Sequence, residues 1–317
     1  MDALTHLLRS HRGRDAFVLT CAMDPPWAVR IADGAAVGLV VMTAGTCVLR
    51  PASGPAVALA AGDVAVVRGP EPYDLADGAD RPPAVVVEPG QRCRVLDPRP
   101  GIVLGPGGRW GNRTGGAVAA GGCSFVAGAY EWPGQVSGRL LDALPPVAVL
   151  PAPACAPALV QALAGELERP RPGGAGVVDR YVDLVLVEAV RAWFDSPAAQ
   201  PPRWWSAGAD PLVARVLALV HESPAEPWTL ERLAAEVGCS RAGLSRRFRA
   251  AVGESPIGYL TGWRLDLAAE RLTQDRSPVE AVARSVGYAN AFAFSTAFKR
   301  RHGCSPRQHR EAAATVA

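Results

Sequence analysis

A helical unit occurs twice near the carboxyl end of this 317-residue chain, and the repeat limits what the chain can fold into. Gly238 and Gly287 lie 49 positions apart, and Phe248 and Phe298 lie 50 positions apart. Self-similarity that extends over many positions indicates that one supersecondary unit has been used twice. We therefore expect residues 229–310 to contain two copies of the same helical unit.

Each copy has the sequence pattern of a helix-turn-helix. A short helix ends at a glycine, which takes a positive φ without strain, and a second helix starts a few residues later. Ser240 and Asn290 are suited to cap the two second helices. Leucine or phenylalanine recurs at i and i+4 on each second helix, so this face is expected to pack inward. The opposite faces carry Arg241, Arg246, Arg247 and Arg249 in the first copy and Lys299, Arg300 and Arg301 in the second.

A long helix is predicted between the copies, from Pro256 to about Gln274, with serine before it as the cap. Ser-Pro starts with capping boxes are also expected at Ser277-Pro278 with Glu280 and at Ser305-Pro306 with Gln308. One face of the long helix is mostly apolar and consists of Ile257, Leu260, Arg264, Leu267, Ala268 and Leu272. Helices that enter consecutive major grooves must lie about 34 Å apart, and a rigid connecting helix can hold that separation.

Residues 229–310 resemble the double helix-turn-helix domain of the AraC/XylS family of bacterial transcription regulators. The resemblance covers about a quarter of the chain and rests on a dispersed set of residues: Trp228-Thr-Leu, Leu233-Ala, Gly238-Cys-Ser, Leu244-Ser-Arg-Arg-Phe, Gly253, Pro256, Tyr259-Leu, Trp263-Arg-Leu, Ala268, Leu272, Val282-Ala, Val286-Gly-Tyr, Phe294-Ser, Ala297-Phe-Lys-Arg, Gly303, Ser305-Pro and Arg310. The resemblance implies an all-α domain that binds double-stranded DNA, with RNA polymerase as a further partner.

The same resemblance implies which positions face DNA: Arg241, Ala242, Ser245, Arg246 and Arg249 in the first copy, and Ala291, Phe292, Ser295, Thr296, Lys299 and Arg300 in the second. Arg246 is predicted to contact guanine, because its fork matches O6 and N7. A purely phosphate-bound Arg246 is the alternative. Thr296 stands where relatives often carry arginine, and Ala291 has no hydrogen-bonding side chain. We therefore predict that the first copy reads sequence and that the second mainly contacts the backbone, with thymine-methyl contacts open to Ala291 or Phe292.

The first half of the chain consists of short apolar runs separated by glycine and proline. The runs are residues 17–21, 37–42, 47–49, 56–59, 64–67 and 84–87. Their length and β-branched composition predict a small β-barrel or sandwich. The segment 62–75 resembles the second half-motif of cupin barrels, as found in AraC regulators with a cupin-type sensor domain. Residues 123–130 and 140–146 continue this resemblance more weakly.

The predicted barrel departs from the metal-binding cupin pattern. Tyr73 stands where a ligand histidine would be expected, and none of the five histidines lies between residues 12 and 220. An imidazole-rich metal site is thereby excluded, and we predict no metal, no cofactor and no catalytic residue. Aromatic residues near the predicted strand ends suit a small organic ligand, namely Trp27, Tyr73, Trp110, Tyr130 and Trp132. The alternative is that these rings pack the core.

Beyond Pro157 the apolar period changes from two to about 3.6, which indicates helices. The helix over 177–194 is apolar on two sides and needs two partners. One partner is the barrel; the other is either the same helix of a second subunit in a homodimer or another part of the chain. The predicted architecture is an α+β multidomain protein: a cupin-like barrel at 1–150 that we expect to sense a ligand, a helical dimerisation segment at 151–200, a linker at 201–209 and an all-α double helix-turn-helix domain at 210–317.

Composition agrees with a DNA-binding carboxyl end. From residue 210 onward, 15 Lys and Arg stand against 11 Asp and Glu. The seven scattered cysteines suit a reducing cytoplasm, and no apolar run reaches the roughly 18 residues of a membrane span. The predicted function is a cytoplasmic, non-enzymatic transcription regulator modulated by a small molecule at the barrel. Two alternatives stay open: a ligand-free barrel that acts in dimerisation or partner docking, and a cupin-type enzyme fused to a DNA-binding domain.

Overall fold

The computed structural model describes residues 17–105, 109–113, 120–130, 143–169, 171–201, 203–206, 210–274 and 277–316. Of these, residues 17–130 and 144–199 belong to an N-terminal unit, and residues 200–316 belong to a C-terminal unit. The helices that follow residue 150 therefore cluster with the strands that precede them. No described helix is long and apolar enough to cross a membrane.

Short β-strands form most of the N-terminal unit, as the apolar runs predict. The described strands are β1 (Phe17–Met23), β2 (Ala28–Ile31), β3 (Val37–Pro51), β4 (Val57–Ala60), β5 (Val64–Arg68), β6 (Tyr73–Ala76), β7 (Val85–Glu88), β8 (Arg92–Val95), β9 (Val103–Gly105), β10 (Arg109–Gly111), β11 (Cys123–Tyr130) and β12 (Val147–Leu150). They pair in the order β8-β7-β2-β6-β3-β11-β1-β10-β9, while β4 and β5 pair with β3, and β12 pairs with β5. The sheet curls around an apolar core, which confirms the cupin-like barrel.

Strand β3 differs from its prediction, because the runs at 37–42 and 47–49 form one continuous strand of 15 residues. Its first part pairs with β5 and β11, and its last part pairs with β4 and β6. Gly45 lies between these parts with φ at 70°, and a Cβ there would meet the Gly122 carbonyl oxygen. The register with β11 shifts beside this point, as in a β-bulge. The glycine therefore marks a bend within a strand, not a turn between two strands.

Two helices, α1 (Pro157–Glu168) and α2 (Gly174–Phe194), complete the N-terminal unit. Helix α2 packs against α1 on one side and against β5 and β12 on another. Val182 lies so close to Gly128 of β11 that a Cβ on that glycine would be 3.1 Å from Val182 Cγ1. Both partners that the apolar surface of α2 requires are thus present in the chain, although Val177 and Leu184 remain 40% and 47% exposed.

The C-terminal unit is helical, as predicted. Its described helices are α3 (Arg203–Ser206), α4 (Pro211–Glu222), α5 (Leu230–Glu236), α6 (Arg241–Val252), α7 (Pro256–Gln274), α8 (Val279–Ser285), α9 (Ala291–His302) and α10 (Pro306–Val316). The short helix α3 falls inside the stretch predicted as a linker and packs against α6.

Helix α7 joins two apolar cores in the C-terminal unit. Tyr259 and Leu260, near its start, belong to a core with α4, α5 and α6. Residues from Trp263 to Leu272 belong to a second core with α8 and α9. A single helix that is buried in both cores fixes the two helix pairs to one frame. This arrangement confirms the long connecting helix.

Candidate nucleic-acid interface

The first helix-turn-helix consists of α5 and α6. Gly238 has a φ of 65° in the turn, as the pattern requires. Ser240 caps α6, and its hydroxyl accepts a hydrogen bond from the Gly243 N–H at 3.1 Å. Leu244 and Phe248 are fully buried and fix the inner face of α6. The predicted cap and inner face are both confirmed.

The second helix-turn-helix consists of α8 and α9. Gly287 has a φ of 88°, and the Asn290 side chain accepts hydrogen bonds from the N–H groups of Phe292 and Ala293 at 2.7 and 3.4 Å. Phe294 and Phe298 are fully buried beneath α9. Both copies of the unit thus have a turn glycine with positive φ, a side-chain cap on the second helix and a buried inner face.

The two predicted capping boxes have different outcomes. At α10 the box forms, because Ser305 N–H donates to Gln308 Oε1 at 2.9 Å and Gln308 N–H donates to Ser305 Oγ at 3.3 Å. At α8 the helix begins at Val279, one residue later than predicted, with Pro278 in the cap position. Proline has no side-chain acceptor, so Pro278 itself forms no side-chain cap bond.

The outer face of α6 consists of Arg241, Ala242, Ser245, Arg246 and Arg249, all of which are exposed except Ser245, which is half-buried. Arg241 donates from Nη1 to Glu231 Oε1 of α5 at 2.7 Å, and this hydrogen bond lowers the pKa of Glu231. Arg246 makes no ion pair with any residue that the structure describes. The structure therefore leaves this guanidinium available at the surface.

Arg247 does not belong to the outer face of α6, contrary to its prediction. Its Nε and Nη2 donate to the two carboxylate oxygens of Asp210 at 2.9 and 3.0 Å. The Asp210 carboxylate also caps α4 by accepting from the Leu212 and Val213 N–H groups. Arg247 thus joins α6 to the start of α4, because the i+1 neighbour of an outward arginine points to another side of the helix.

The outer face of α9 consists of Ala291, Phe292, Ser295, Thr296, Lys299 and Arg300. Phe292, Thr296, Lys299 and Arg300 are exposed, and Ala291 and Ser295 are half-buried. Phe292 is 82% exposed, which is unusual for so large an apolar side chain. The face is therefore apolar in its first turn and basic in its last.

Arg301 was expected beside Lys299 and Arg300 on this surface, and the structure corrects that prediction. Its Nε and Nη2 donate to Oδ1 and Oδ2 of Asp266 at 2.6 and 2.7 Å. The Asp266 side chain is only 2% exposed, on the inner part of α7. Arg301 therefore fastens α9 to the connecting helix.

Arg264 has a structural role in the candidate interface that the sequence did not reveal. Its Nε and Nη2 donate to the carbonyl oxygens of Pro224 and Glu226, each at 2.6 Å. A Cβ on Gly287 would lie 2.9 Å from Arg264 Nη2 and 2.8 Å from the Ala225 carbonyl oxygen. The turn of the second helix-turn-helix thus packs against Arg264 and against the loop at residues 224–226, which precedes α5 of the first. The available signal was a single charge on the apolar face of α7, and burial lowers the pKa of this arginine.

Three of the predicted ligand-pocket residues, Trp27, Tyr73 and Trp110, lie in the barrel interior, whereas Tyr130 is buried between β11 and α2. Trp27, Tyr73 and Trp110 belong to one core cluster and are 0%, 7% and 7% exposed, and Tyr130 is 2% exposed. Trp132 lies outside the described residues. Tyr130 donates from its hydroxyl to Asp183 Oδ1 of α2 at 3.3 Å, which ties the barrel to that helix.

Among the residues that the structure describes, little space remains beside Trp27 and Tyr73. Trp27 stacks on Phe125 with ring centroids 5.8 Å apart, and Tyr73 lies directly against Gly38. The cavity beside Tyr73, which Asp33, Ala127 and Gly128 also line, has a volume of about 10 Å³. That is about the room that one water molecule needs. The four described rings are thus packed core residues in this structure, and their role in ligand binding stays a prediction.

Comparison with known proteins adds two domain matches. A family model described as Cupin matches residues 2–195, and one described as Helix-turn-helix domain matches residues 233–312. An AraC-like transcription regulator of Streptomyces antibioticus is 34% identical over 191 residues, which cover 59% of this chain and 63% of that protein. AlkR of Acinetobacter baylyi, named as an HTH-type transcriptional regulator, is 34% identical over 149 residues, or 46% of this chain and 47% of AlkR.

The chain thus spans less than two thirds of the length of these curated relatives. Among solved structures, the DNA-binding domain of AdpA in complex with a target DNA is 33% identical. The matched region covers 32% of this chain and 90% of the AdpA domain, with a TM-score of 0.31.

Proposed function

Because this chain belongs to the cupin family through residues 2–195 and carries an AraC-type helix-turn-helix domain at 233–312, we propose that it is a sequence-specific transcription regulator. One observation carries the proposal. Two copies of a helix-turn-helix, each with a buried inner face and an exposed outer face, are fixed to one helix, α7. Such a frame suits two consecutive major grooves of double-stranded DNA.

Phosphate contacts supply most of the affinity in this proposal. Arg249 at α6 and Lys299 and Arg300 at α9 are exposed near the ends of their helices. Cations that neutralise phosphates release counterions, so binding weakens as salt rises. These contacts position the protein without reading sequence.

Arg246 is the proposed base-reading residue. Its neighbours Arg241 and Arg247 are engaged with Glu231 and Asp210, whereas Arg246 is exposed on the outer face of α6. An arginine fork that faces the major groove pairs with O6 and N7 of guanine. The first module would therefore discriminate bases through this one side chain.

The proposal is tested by selecting duplexes from a random library with the full chain, followed by titration at several salt concentrations. Arg246→Ala should cost about 1–3 kcal/mol at the selected site and flatten the preference at one base pair. Arg249→Ala is the matched control on the same helix face. It should weaken all sequences alike and lower the salt slope by about 1. Unchanged base preference in Arg246→Ala would remove the base-contact assignment, and no enrichment by the parent protein would overturn the function.

For the N-terminal unit we propose a role in dimerisation or partner docking. The packed rings and the cavity of about 10 Å³ beside Tyr73 favour a barrel that works without a ligand over one that binds a small-molecule effector. The exposed Val177 and Leu184, seven positions apart on α2, offer a stripe for the same helix of a second copy. RNA polymerase as a partner, which the AraC/XylS resemblance implies, and the cytoplasm as the compartment, which the scattered cysteines suit, belong to the same proposal.

A thermal-shift screen separates the two roles of the barrel. A ligand that binds only the folded state raises the melting temperature. No shift is expected from a library of small organic compounds. A saturable shift that Tyr73→Phe abolishes would establish an effector site instead.

A further inference from the structure

The two outer faces differ chemically at matched positions. Phe248 and Phe298 are equivalent in the repeat, so Ala242 matches Phe292 and Arg246 matches Thr296. The first module thus presents a guanidinium where the second presents a hydroxyl and a methyl group. The first module also presents a methyl group where the second presents a phenyl ring. The two helix-turn-helix copies can therefore be compared position by position.

The backbone of Phe292 is fixed at the surface. Its N–H donates to Oδ1 of the cap residue Asn290 at 2.7 Å, and the buried rings of Phe294 and Phe298 anchor the helix beneath it. At 82% exposed, Phe292 exceeds Val103 at 64%, the next most exposed large apolar residue that the structure describes. Single exposed apolar residues are common on protein surfaces, so the neighbours of this ring decide what covers it.

The surroundings of Phe292 favour DNA as the occupant. Thr296 lies one helical turn away at i+4, and Lys299 and Arg300 follow at i+7 and i+8 on the same side of α9. The basic end suits phosphates, while the first turn of such a helix is the part that meets base edges. At those edges, the pyrimidine C5-methyl group is the apolar feature, and phenylalanine and the threonine methyl are suited to contact it.

We propose that Phe292 and the methyl group of Thr296 form an apolar surface that recognises a pyrimidine C5-methyl group in the half-site bound by α9. This inference rests on the proposed function and adds base discrimination to the second module. The methyl group comes from thymine or from 5-methylcytosine, which place it at the same ring position. Recognition therefore uses dispersion and desolvation where the first module uses hydrogen bonds.

The test removes single methyl groups from the DNA. In the duplex selected by the full chain, each thymine of the half-site contacted by α9 is replaced by deoxyuridine, which keeps its hydrogen-bonding pattern. Each cytosine is separately replaced by 5-methylcytosine. Removal of a contacted methyl should weaken binding of the parent protein about fourfold, which corresponds to about 0.8 kcal/mol for one buried carbon group. If 5-methylcytosine is the natural source, its introduction should strengthen binding by a similar factor.

Phe292→Ala provides the matched variant, and it should lose the methyl effect while its circular dichroism stays unchanged. The substitution of an exposed helical residue by alanine favours the helix. Phe292→Leu should keep part of the methyl effect. In the half-site bound by α6, the response to uridine should be the same in parent and variant, because Ala242 replaces the ring there.

The failures of the two proposals are distinguishable. Equal methyl effects in the parent protein and Phe292→Ala would overturn the assignment of Phe292, and so would a parent protein indifferent to every methyl. Sequence-specific binding would survive either result. Intact DNA binding by Phe292→Ala together with lost transcription would assign the ring to a protein partner and would also overturn the inference. Absence of specific binding by the parent protein would instead refute the proposed function.

Discussion

Replacement of Arg301 should release α9 from the connecting helix. The Asp266 carboxylate is 2% exposed and receives two hydrogen bonds from Arg301, at 2.6 and 2.7 Å. Removing Arg301 takes its strongest partner from this buried carboxylate, although His302 Nε2 still lies 3.8 Å from Asp266 Oδ1. Loss of one partner of a buried pair typically costs about 3–5 kcal/mol. The Arg301 side chain is itself 32% exposed, so water partly screens the pair and the low end of this range applies. We expect Arg301→Met to cost about 3 kcal/mol.

Hydrogen exchange of the full chain, followed by mass spectrometry of peptides from α9 and α7, is the assay. A loss of about 3 kcal/mol in the opening free energy speeds amide exchange by about 150-fold, since 1.36 kcal/mol corresponds to a factor of ten. Peptides from the N-terminal unit should exchange as in the parent protein, and they serve as the internal control.

A double-mutant cycle decides whether the effect comes from the pair. Asp266→Leu alone leaves the partly exposed Arg301 guanidinium without this carboxylate, and the combined Asp266→Leu, Arg301→Met variant removes both charges together. A pair replaced by apolar residues is often neutral in stability, so the double variant should recover most of the loss. If the two single losses simply add, no coupling exists and the reasoning is refuted.

Two further predictions concern pH and assembly. Burial lowers the pKa of both His302 and His309, so the unfolded state binds more protons as pH falls below about 6.5. The urea midpoint of the C-terminal unit should therefore be lower at pH 5.5 than at pH 7.5, with a smaller difference in His309→Gln; an equal or higher midpoint in acid would contradict this. In sedimentation equilibrium, Leu184→Glu should convert a dimer to a monomer, whereas Val103→Glu, the same kind of change at another exposed apolar residue, should not. A parent protein that is already monomeric would exclude the α2 interface.

The helix-turn-helix repeat could be predicted from sequence because its signals are local. A cap such as Ser240, a turn glycine such as Gly238 and the i, i+4 pair Leu244 and Phe248 act within a few residues of one another. Their structural outcome hardly depends on the rest of the chain. The predicted start of α8 at Pro278 was wrong by one residue, since the helix begins at Val279.

The partners of individual charges could not be predicted, because they lie far away in sequence. Arg301 and Asp266 are 35 residues apart, and Arg247 and Asp210 are 37 apart. Periodicity places an arginine on a sector of a helix but does not say which carboxylate a different helix brings there. The outer faces were therefore predicted with one arginine too many on each helix.

The barrel was predicted in class but not in detail. The β-branched runs predicted the strands, yet they did not show that the runs at 37–42 and 47–49 belong to one strand, which bends at Gly45. Aromatic residues near strand ends fit both a pocket and a core in sequence. Only the packing around Tyr73 and Trp27 distinguishes these, because it depends on residues from several strands.

The doubly used carboxylate of Asp210 has a mechanical consequence. It lies where the chain enters α4. Its Oδ1 accepts from the first turn of that helix and from Arg247 Nη2, and its Oδ2 accepts from Arg247 Nε on α6. Tension applied to the backbone just ahead of this aspartate is therefore borne by α6 as well as by α4. A tether at this residue would pull on the second helix of the first helix-turn-helix.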